Sequence, residues 1–145
     1  MALAKTKLET FVSPDELKDV LLDFESYAEL LPEVSKVDVK ERSDDAALVT
    51  FNVDISFAGF DVKTEYTCRY EIEGREIRWE LVDSPSLTKN TGKWVLEETE
   101  DEETVAHYES EVETNLPIPP EVQALFVEES LPKLMERFRD KAEDL

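Results

Sequence analysis

The C-terminal stretch 119–145 constrains the fold most, because its apolar residues recur at the three- and four-residue spacing of a long amphipathic helix. Pro119 and Pro120 stand at its start, where the fixed φ of proline suits the first helical turn. The apolar stripe consists of Val122, Leu125, Phe126, Val127, Leu131, Leu134, Met135, Phe138 and Ala142. Pro132 interrupts the pattern, so the stretch forms either one kinked helix or two helices, the second capped by Ser130.

The apolar residues between 34 and 114 instead alternate with polar ones, which is the period of a β-strand. Strict alternation predicts two strands at 49–57 and 62–72, joined by a turn at 58–60. Further strands are predicted around 37–39, 77–81, from Trp94 onward and 106–114, with a long loop at 83–92 in which Asn90-Thr91-Gly92 is a turn. The short links between strands favour an antiparallel meander.

One strand and two short helices precede this meander. The strand is predicted at 3–12, and Ser13-Pro14-Asp15-Glu16 then has the cap, proline and glutamate that begin a helix. A second helix at 26–31 ends before Pro32. The element order is therefore β-α-α-β6-α. It predicts an α+β fold in which a curved antiparallel sheet of about seven strands wraps around the long C-terminal helix. We expect residues 1–145 to form a single domain.

The charge of the chain excludes several classes of function. Its 36 acidic and 16 basic residues give a net charge of −20, which repels phosphate backbones and anionic lipid headgroups. We therefore expect no nucleic-acid partner. No run of 18 apolar residues is present, so we expect no integral membrane association. The segment 1–12 lacks the apolar core of a signal peptide, and a cytoplasmic location is the expectation.

The residues that most often bind metals or cofactors are scarce. Cys68 is the one cysteine, so neither an internal disulfide nor a thiol cluster can form. His107, the one histidine, alternates onto the polar face of its strand with Glu109 and Glu111, which indicates a surface residue paired with glutamate. The chain has no phosphate-binding loop and no dinucleotide fingerprint. We expect no metal and no cofactor.

Several segments resemble one known family. The strand-to-helix entry at 8–17, the aspartate, tyrosine and proline pattern at 23–32, the helix end at 133–142 and the Gly92-Lys93-Trp94 motif are similar to the START-like helix-grip superfamily, also called SRPBCC. Within it, the chain resembles the polyketide cyclase/dehydrase-like and coenzyme-Q-binding branch. The resemblance covers nearly the whole chain. It implies an apolar cavity between the curved sheet and the C-terminal helix, which holds a lipid, sterol, quinone or polyketide.

The predicted inner face of the sheet is aromatic, aliphatic and weakly polar, which suits an apolar ligand. These side chains could equally fill one another's space as an ordinary core. The residues expected to contact a ligand are Phe51, Val53, Ile55, Phe57, Thr64, Tyr66, Tyr70, Trp79, Trp94, Tyr108, Ser110, Leu131 and Met135.

The predicted inner face has no charged residue, so no acid–base pair can be assembled there from strand residues. We therefore expect non-enzymatic binding or transport of a hydrophobic small molecule, with no catalytic residue. A polyketide cyclase/dehydrase that uses Tyr66, Tyr70 and Tyr108 as proton donors is one alternative. A module that binds a protein partner through its acidic outer face is another.

Overall fold

The computed structural model describes residues 2–144 and has the predicted order of elements. Seven strands and three α-helices follow one another, with a 3₁₀ turn at Phe24–Ser26 before the second helix. The elements are β1 (Ala2–Thr10), α1 (Pro14–Leu22), α2 (Tyr27–Leu30), β2 (Val34–Arg42), β3 (Ala46–Phe57), β4 (Phe60–Glu73), β5 (Glu76–Asp83), β6 (Leu87–Glu98), β7 (Thr104–Thr114) and α3 (Pro120–Glu143).

All seven strands belong to one antiparallel sheet. Its order is β1-β7-β6-β5-β4-β3-β2, so the last six strands form a meander and the first strand pairs with the last. The alternation that predicted the strands separates their faces as expected. In β3, for example, Val49, Phe51 and Val53 are buried while Asp54 is exposed. The predicted antiparallel meander is confirmed.

The two short helices lie where the sequence predicts, and α2 is one residue shorter at each end than the predicted 26–31. Ser13 caps α1 and its side chain accepts a hydrogen bond from the Glu16 amide. Leu17 and Leu21 of α1 are buried in the core. The helix α2 ends at Leu30, and Leu31 adopts extended φ and ψ angles before Pro32. No helix within the described part of the chain is long and apolar enough to cross a membrane.

The C-terminal stretch forms one helix, α3, which continues through Pro132. The alternative of a second helix capped by Ser130 is therefore wrong. The two halves of α3 differ in burial, because Met135, Phe138 and Ala142 are buried whereas Leu125 is 43% exposed. Thr10 of β1 donates a hydrogen bond to Glu143 at the end of the helix, 2.6 Å away. Leu145, the last residue of the predicted stretch, lies outside the described residues.

The predicted long loop at 83–92 is wrong, because β6 begins at Leu87. Asn90 pairs with Val112 and Gly92 pairs with Ser110 of β7, so the supposed turn residues lie within the strand. Asn90 and Gly92 both contact Trp79 of β5. No pattern in the local sequence indicates these contacts. The Trp79 indole occupies the space above Gly92, where an added Cβ would lie 2.2 Å from Trp79 Cζ2.

Candidate functional site

A cavity of about 210 Å³ lies between the sheet and the buried half of α3, and we call it the inner chamber. Half of the residues that line it are aromatic. The aromatic residues are Tyr27, Phe51, Tyr66, Tyr70, Trp79, Trp94, Tyr108 and Phe138. Both tryptophans of the chain are among them.

The aromatic rings of the inner chamber contact one another in a closed circuit. Ring centroids are 5.4 Å apart for Tyr27 and Phe138, 5.8 Å for Phe138 and Trp94, and 4.8 Å for Trp94 and Tyr108. The circuit continues through Trp79, Tyr70 and Phe51 back to Tyr27 with separations of 5.8 to 6.4 Å. Such tilted and edge-on pairs each add about 0.5–1.5 kcal/mol beyond their burial. These contacting rings form a continuous aromatic belt around the inner chamber.

A second cavity of about 300 Å³, the outer chamber, lies beside the first and is mostly aliphatic. The hairpin of β3 and β4, the segment 116–118 and the first half of α3 enclose it. Its apolar walls include Val53, Ile55, Phe57, Phe60, Val62, Leu87, Leu116, Ile118, Val122, Phe126 and Val127. Thr64, Thr114 and Gln123 add a few polar groups. The side chain of Gln123 donates to the Ile118 carbonyl, 2.9 Å away, which joins α3 to the preceding segment.

The two chambers adjoin at Tyr66, Asn90 and Val112, which line both of them. An aromatic space thus continues into an aliphatic one, and we call the meeting point the junction. Asn90 is held there by a hydrogen bond of 3.2 Å from Trp79 Nε1 to its Oδ1. A ligand that occupied both chambers would pass these three side chains.

No Asp, Glu, Lys, Arg or His lines either chamber within residues 2–144. The titratable groups in the walls are tyrosines, and burial raises the pKa of Tyr27, Tyr66, Tyr70 and Tyr108 above its usual 10.0. These hydroxyls therefore stay neutral at physiological pH. The chambers can solvate an apolar ligand and offer it uncharged hydrogen-bonding groups.

The tyrosine hydroxyls of the inner chamber differ in their partners. Tyr27 donates to the carbonyl of Leu21, which ties α2 to α1. Within the described residues, the hydroxyls of Tyr66 and Tyr70 make no hydrogen bond, although no polar side-chain atom that is fully buried is left unpaired. Both hydroxyls therefore open onto cavity space and are available to a ligand.

Most of the residues predicted to contact a ligand lie in these walls. Phe51, Tyr70, Trp79, Trp94, Tyr108 and Ser110 line the inner chamber, Val53, Ile55, Phe57 and Thr64 line the outer one, and Tyr66 lines both. Leu131 and Met135 line neither. Leu134 and Phe138 face the inner chamber instead, one helical position or more away. The helical stripe alone does not distinguish these neighbours, because both pairs lie on its apolar side.

Several wall residues were not among the predicted site residues. Asn90 was interpreted as part of a turn, and Tyr27 as part of a short second helix. The aliphatic segment at 116–118 had no periodic signal. Phe126 and Val127 belong to the apolar stripe of α3, and the proximity of that half of the helix to Phe57 was the missing information.

The one cysteine and the one histidine of the chain do not line either chamber. His107 is half exposed on the outer face, where its Nε2 lies 3.1 Å from Glu97, as a glutamate-paired surface residue should. Cys68 is buried, and burial raises its pKa from 9.0 to about 12, so the thiolate is scarce. Within residues 2–144, no group of three or more His, Cys, Asp or Glu side chains is placed to hold a metal ion.

Comparison with known proteins adds a family match and several similar structures. A family model described as "Polyketide cyclase / dehydrase and lipid transport" matches residues 1–144. No curated protein matches the sequence significantly. The Zhui aromatase/cyclase from Streptomyces sp. R1128 is 18% identical, with a TM-score of 0.77 over 97% of this chain and 93% of that chain.

Two further structures are equally similar. A START superfamily protein from Mycobacterium smegmatis has a TM-score of 0.78 at 17% identity, covering 98% of this chain and 97% of that chain. A STAR-related lipid transfer protein from Xanthomonas axonopodis has a TM-score of 0.80 at 16% identity, covering 97% of this chain and 85% of that chain. At these identities the likeness concerns the fold, and the expected helix-grip α+β fold is confirmed.

Proposed function

The chain belongs to the polyketide cyclase/dehydrase and lipid transport family, and we propose that it binds or carries a hydrophobic small molecule between the sheet and α3 without transforming it. The observation that carries this proposal is the pair of adjoining uncharged chambers, of about 210 and 300 Å³. Their combined size and apolar walls are typical of a small-molecule site.

No charged side chain of residues 2–144 lines the chambers, which favours carriage over catalysis. Proton transfer in catalysis uses groups whose pKa lies near the working pH. Burial moves the pKa of the wall tyrosines in the opposite direction, away from neutrality. The names of the similar structures include a lipid transfer protein as well as an aromatase/cyclase, so both functions occur on this fold.

A competing function is that of a cyclase or dehydrase with Tyr66, Tyr70 and Tyr108 as proton donors. One observation favours it: the three side chains line the same inner chamber, and the hydroxyls of Tyr66 and Tyr70 are free to contact a ligand. A neutral phenol can donate a hydrogen bond to a carbonyl that gains negative charge. The two functions differ in what happens to the ligand.

Binding is tested with Nile red, a neutral dye whose emission rises in apolar surroundings. The dye should bind the wild-type chain, and Ile55→Trp should weaken binding because the larger side chain occupies part of the outer chamber. Asp54→Trp is the matched control, since Asp54 is the preceding residue and is exposed on the opposite face of β3. Equal weakening by both variants, or no binding by the wild type, would contradict the proposal.

Native mass spectrometry separates carriage from catalysis. Protein purified from its own host should release a neutral ligand, and that ligand should have an unchanged mass after it is returned to fresh protein. A product lighter by one water would support the dehydrase. Tyr66→Phe and Tyr70→Phe should then abolish the mass change while the ligand is still bound.

A further inference from the structure

Asn90 is a polar residue at an unusual place, the junction of two apolar chambers. It lies within β6, is only 8% exposed and lines both chambers. A buried amide needs hydrogen-bond partners, because an unpaired one costs about 1–3 kcal/mol. Its presence in an otherwise apolar wall therefore calls for a physical reason.

The neighbouring tryptophan sets the orientation of this amide. Trp79 Nε1 lies 3.2 Å from Asn90 Oδ1, and an indole nitrogen can only donate a hydrogen bond. The oxygen of the amide must therefore face Trp79, which turns the Nδ2 group the other way. Nδ2 makes no hydrogen bond to any residue in the described range, yet no fully buried polar side-chain atom there is unpaired. Nδ2 is therefore not fully buried, and because Asn90 lines both chambers, this group is available to donate to a ligand there.

The position of Trp79 itself depends on Gly92. An added Cβ at Gly92 would lie 2.2 Å from Trp79 Cζ2 and 2.6 Å from the Glu109 carbonyl oxygen. Only glycine leaves room for the indole at this point of β6. Asn90 and Gly92 lie two residues apart on the same face of the strand. Gly92 leaves room for the indole, and the indole in turn orients the amide of Asn90.

The surroundings of Nδ2 define what it can bind. Tyr66 provides a second available hydroxyl at the junction, and Val112 is the apolar third member. On one side lies the aromatic belt, which suits a flat ring. On the other side lies the aliphatic outer chamber, which suits a chain. The described part of the chain contributes no charged side chain to either wall, so a buried ionic group would lack the partner that its desolvation requires.

We propose that Asn90 selects the ligand by donating a hydrogen bond from Nδ2 to the carbonyl oxygen of a neutral molecule with a ring in the inner chamber and an alkyl chain in the outer chamber. This inference rests on the proposed binding function. It adds to that function a named donor, a required acceptor on the ligand and a requirement for zero charge.

Three probes of similar shape test the inference by displacement of Nile red from the full chain. Hexanophenone has a ring, a carbonyl and an alkyl chain, and hexylbenzene has a methylene in place of the carbonyl. The third probe, 6-phenylhexanoate, has the ring and chain but ends in a carboxylate. The measured quantity is the Kd of hexylbenzene divided by that of hexanophenone, because substitutions that merely loosen the chamber affect both compounds.

In Asn90→Leu this ratio should fall about tenfold from its wild-type value, which corresponds to about 1.4 kcal/mol. Thr91→Val is the matched control, since Thr91 is the next residue of β6 and faces the opposite side; its ratio should equal that of the wild type. Asn90→Asp is the second variant and retains an oxygen that accepts from Trp79. It should also lower the ratio, and it can be measured if Asn90→Leu does not fold.

The outcomes distinguish the inference from the function on which it rests. If hexanophenone and hexylbenzene both bind and the ratio is unchanged in the Asn90 variants, the inference is wrong and the binding function stands. If 6-phenylhexanoate binds as tightly as hexanophenone, the requirement for a neutral ligand is wrong. If the wild type binds none of the probes and does not bind Nile red, the binding function itself fails.

Discussion

The ring of Phe57 at the end of β3 meets the ring of Phe126 in α3 edge-on, with centroids 5.3 Å apart. Both rings line the outer chamber, and their contact joins the sheet to the less buried half of α3, in which the adjacent Leu125 is 43% exposed. The opposite half of α3 is anchored by Met135, Phe138 and Ala142. One half of α3 is therefore firmly packed, whereas the half beside the outer chamber is less buried.

Phe126→Ala should increase the rate at which Nile red leaves the protein, because it removes the contact with Phe57. An aromatic pair is worth about 0.5–1.5 kcal/mol, so the increase should be about threefold to tenfold. Stopped-flow dissociation measures this rate. Leu125→Ala shortens the neighbouring exposed side chain and should leave the rate unchanged. Equal rates for the two variants would show that the outer chamber does not open at this contact.

Pro132→Ala should stabilise the protein and slow exchange of the dye. Proline inside a helix removes one backbone hydrogen bond, and alanine is favoured over it by up to about 3 kcal/mol in a helix interior. If Pro132 is a hinge between the buried and the more exposed half of α3, restoring the backbone hydrogen bond should stiffen the helix at that point. Ser130→Ala, two residues earlier, controls for helix propensity. A gain in stability by urea unfolding with no change in exchange would refute the hinge.

Gly92→Ala should destabilise the fold and disturb the junction. The new methyl would overlap the Trp79 ring and the Glu109 carbonyl, and overpacking of this kind costs about 1–3 kcal/mol. Thr91→Ala, at the adjacent position on the other face of β6, should cost clearly less. Urea unfolding measures the cost. The near-ultraviolet circular dichroism of the tryptophans should change only in Gly92→Ala; identical spectra would place the indole elsewhere.

Stability should fall at alkaline pH because the wall tyrosines and Cys68 are buried. Burial raises the folded-state pKa of the wall tyrosines above their usual 10.0 and that of Cys68 from 9.0 to about 12. The contribution of these neutral groups to the free energy of unfolding is fully present below their unfolded-state pKa. It is lost as the pH rises from there through their folded-state pKa. Each group that ionises only after unfolding therefore removes about 1.4 kcal/mol per pH unit above its unfolded value.

Thermal unfolding between about pH 8 and 11 tests this expectation, since the buried groups begin to ionise in the unfolded chain from about pH 9. Tyr66→Phe keeps the ring and removes one ionisable hydroxyl, so its melting temperature should fall less steeply with pH than that of the wild type. The exposed lysines are the same in both proteins, and their titration cancels in the comparison. Tyrosinate absorbance that develops before unfolding would contradict the assigned burial.

Local periodicity predicted which strand residues face the chambers. Alternation in β3, β4 and β7 depends only on the two-residue repeat of an extended chain, and it correctly separated Tyr66 and Tyr108 from Glu65 and His107. The cap at Ser13 and the stop before Pro32 are likewise local, because each depends on the backbone geometry of a few consecutive residues. The same alternation explains why the strand residues that line the chambers are uncharged.

Asn90 and Gly92 were misinterpreted because their residue types indicate a turn when only neighbours along the chain are considered. Their actual role depends on Trp79 in the adjacent strand, a contact between residues 11 or more positions apart. Leu131 and Met135, which were predicted to contact a ligand, line neither chamber, and the reason is related. Helical spacing gives an apolar side but does not determine how the helix is rotated against the sheet, and Leu134 and Phe138 face the inner chamber.

By itself the sequence determined the order of the elements, the residues of each strand that face inward, and the lack of charge on that inner face. All three depend on periodicity and composition. The tertiary structure decided that these inward residues surround two adjoining spaces instead of filling them. It also decided that one amide lies where the spaces meet. The physical reason is that cavity volume and amide orientation depend on packing between elements far apart in the chain, and no local repeat encodes that packing.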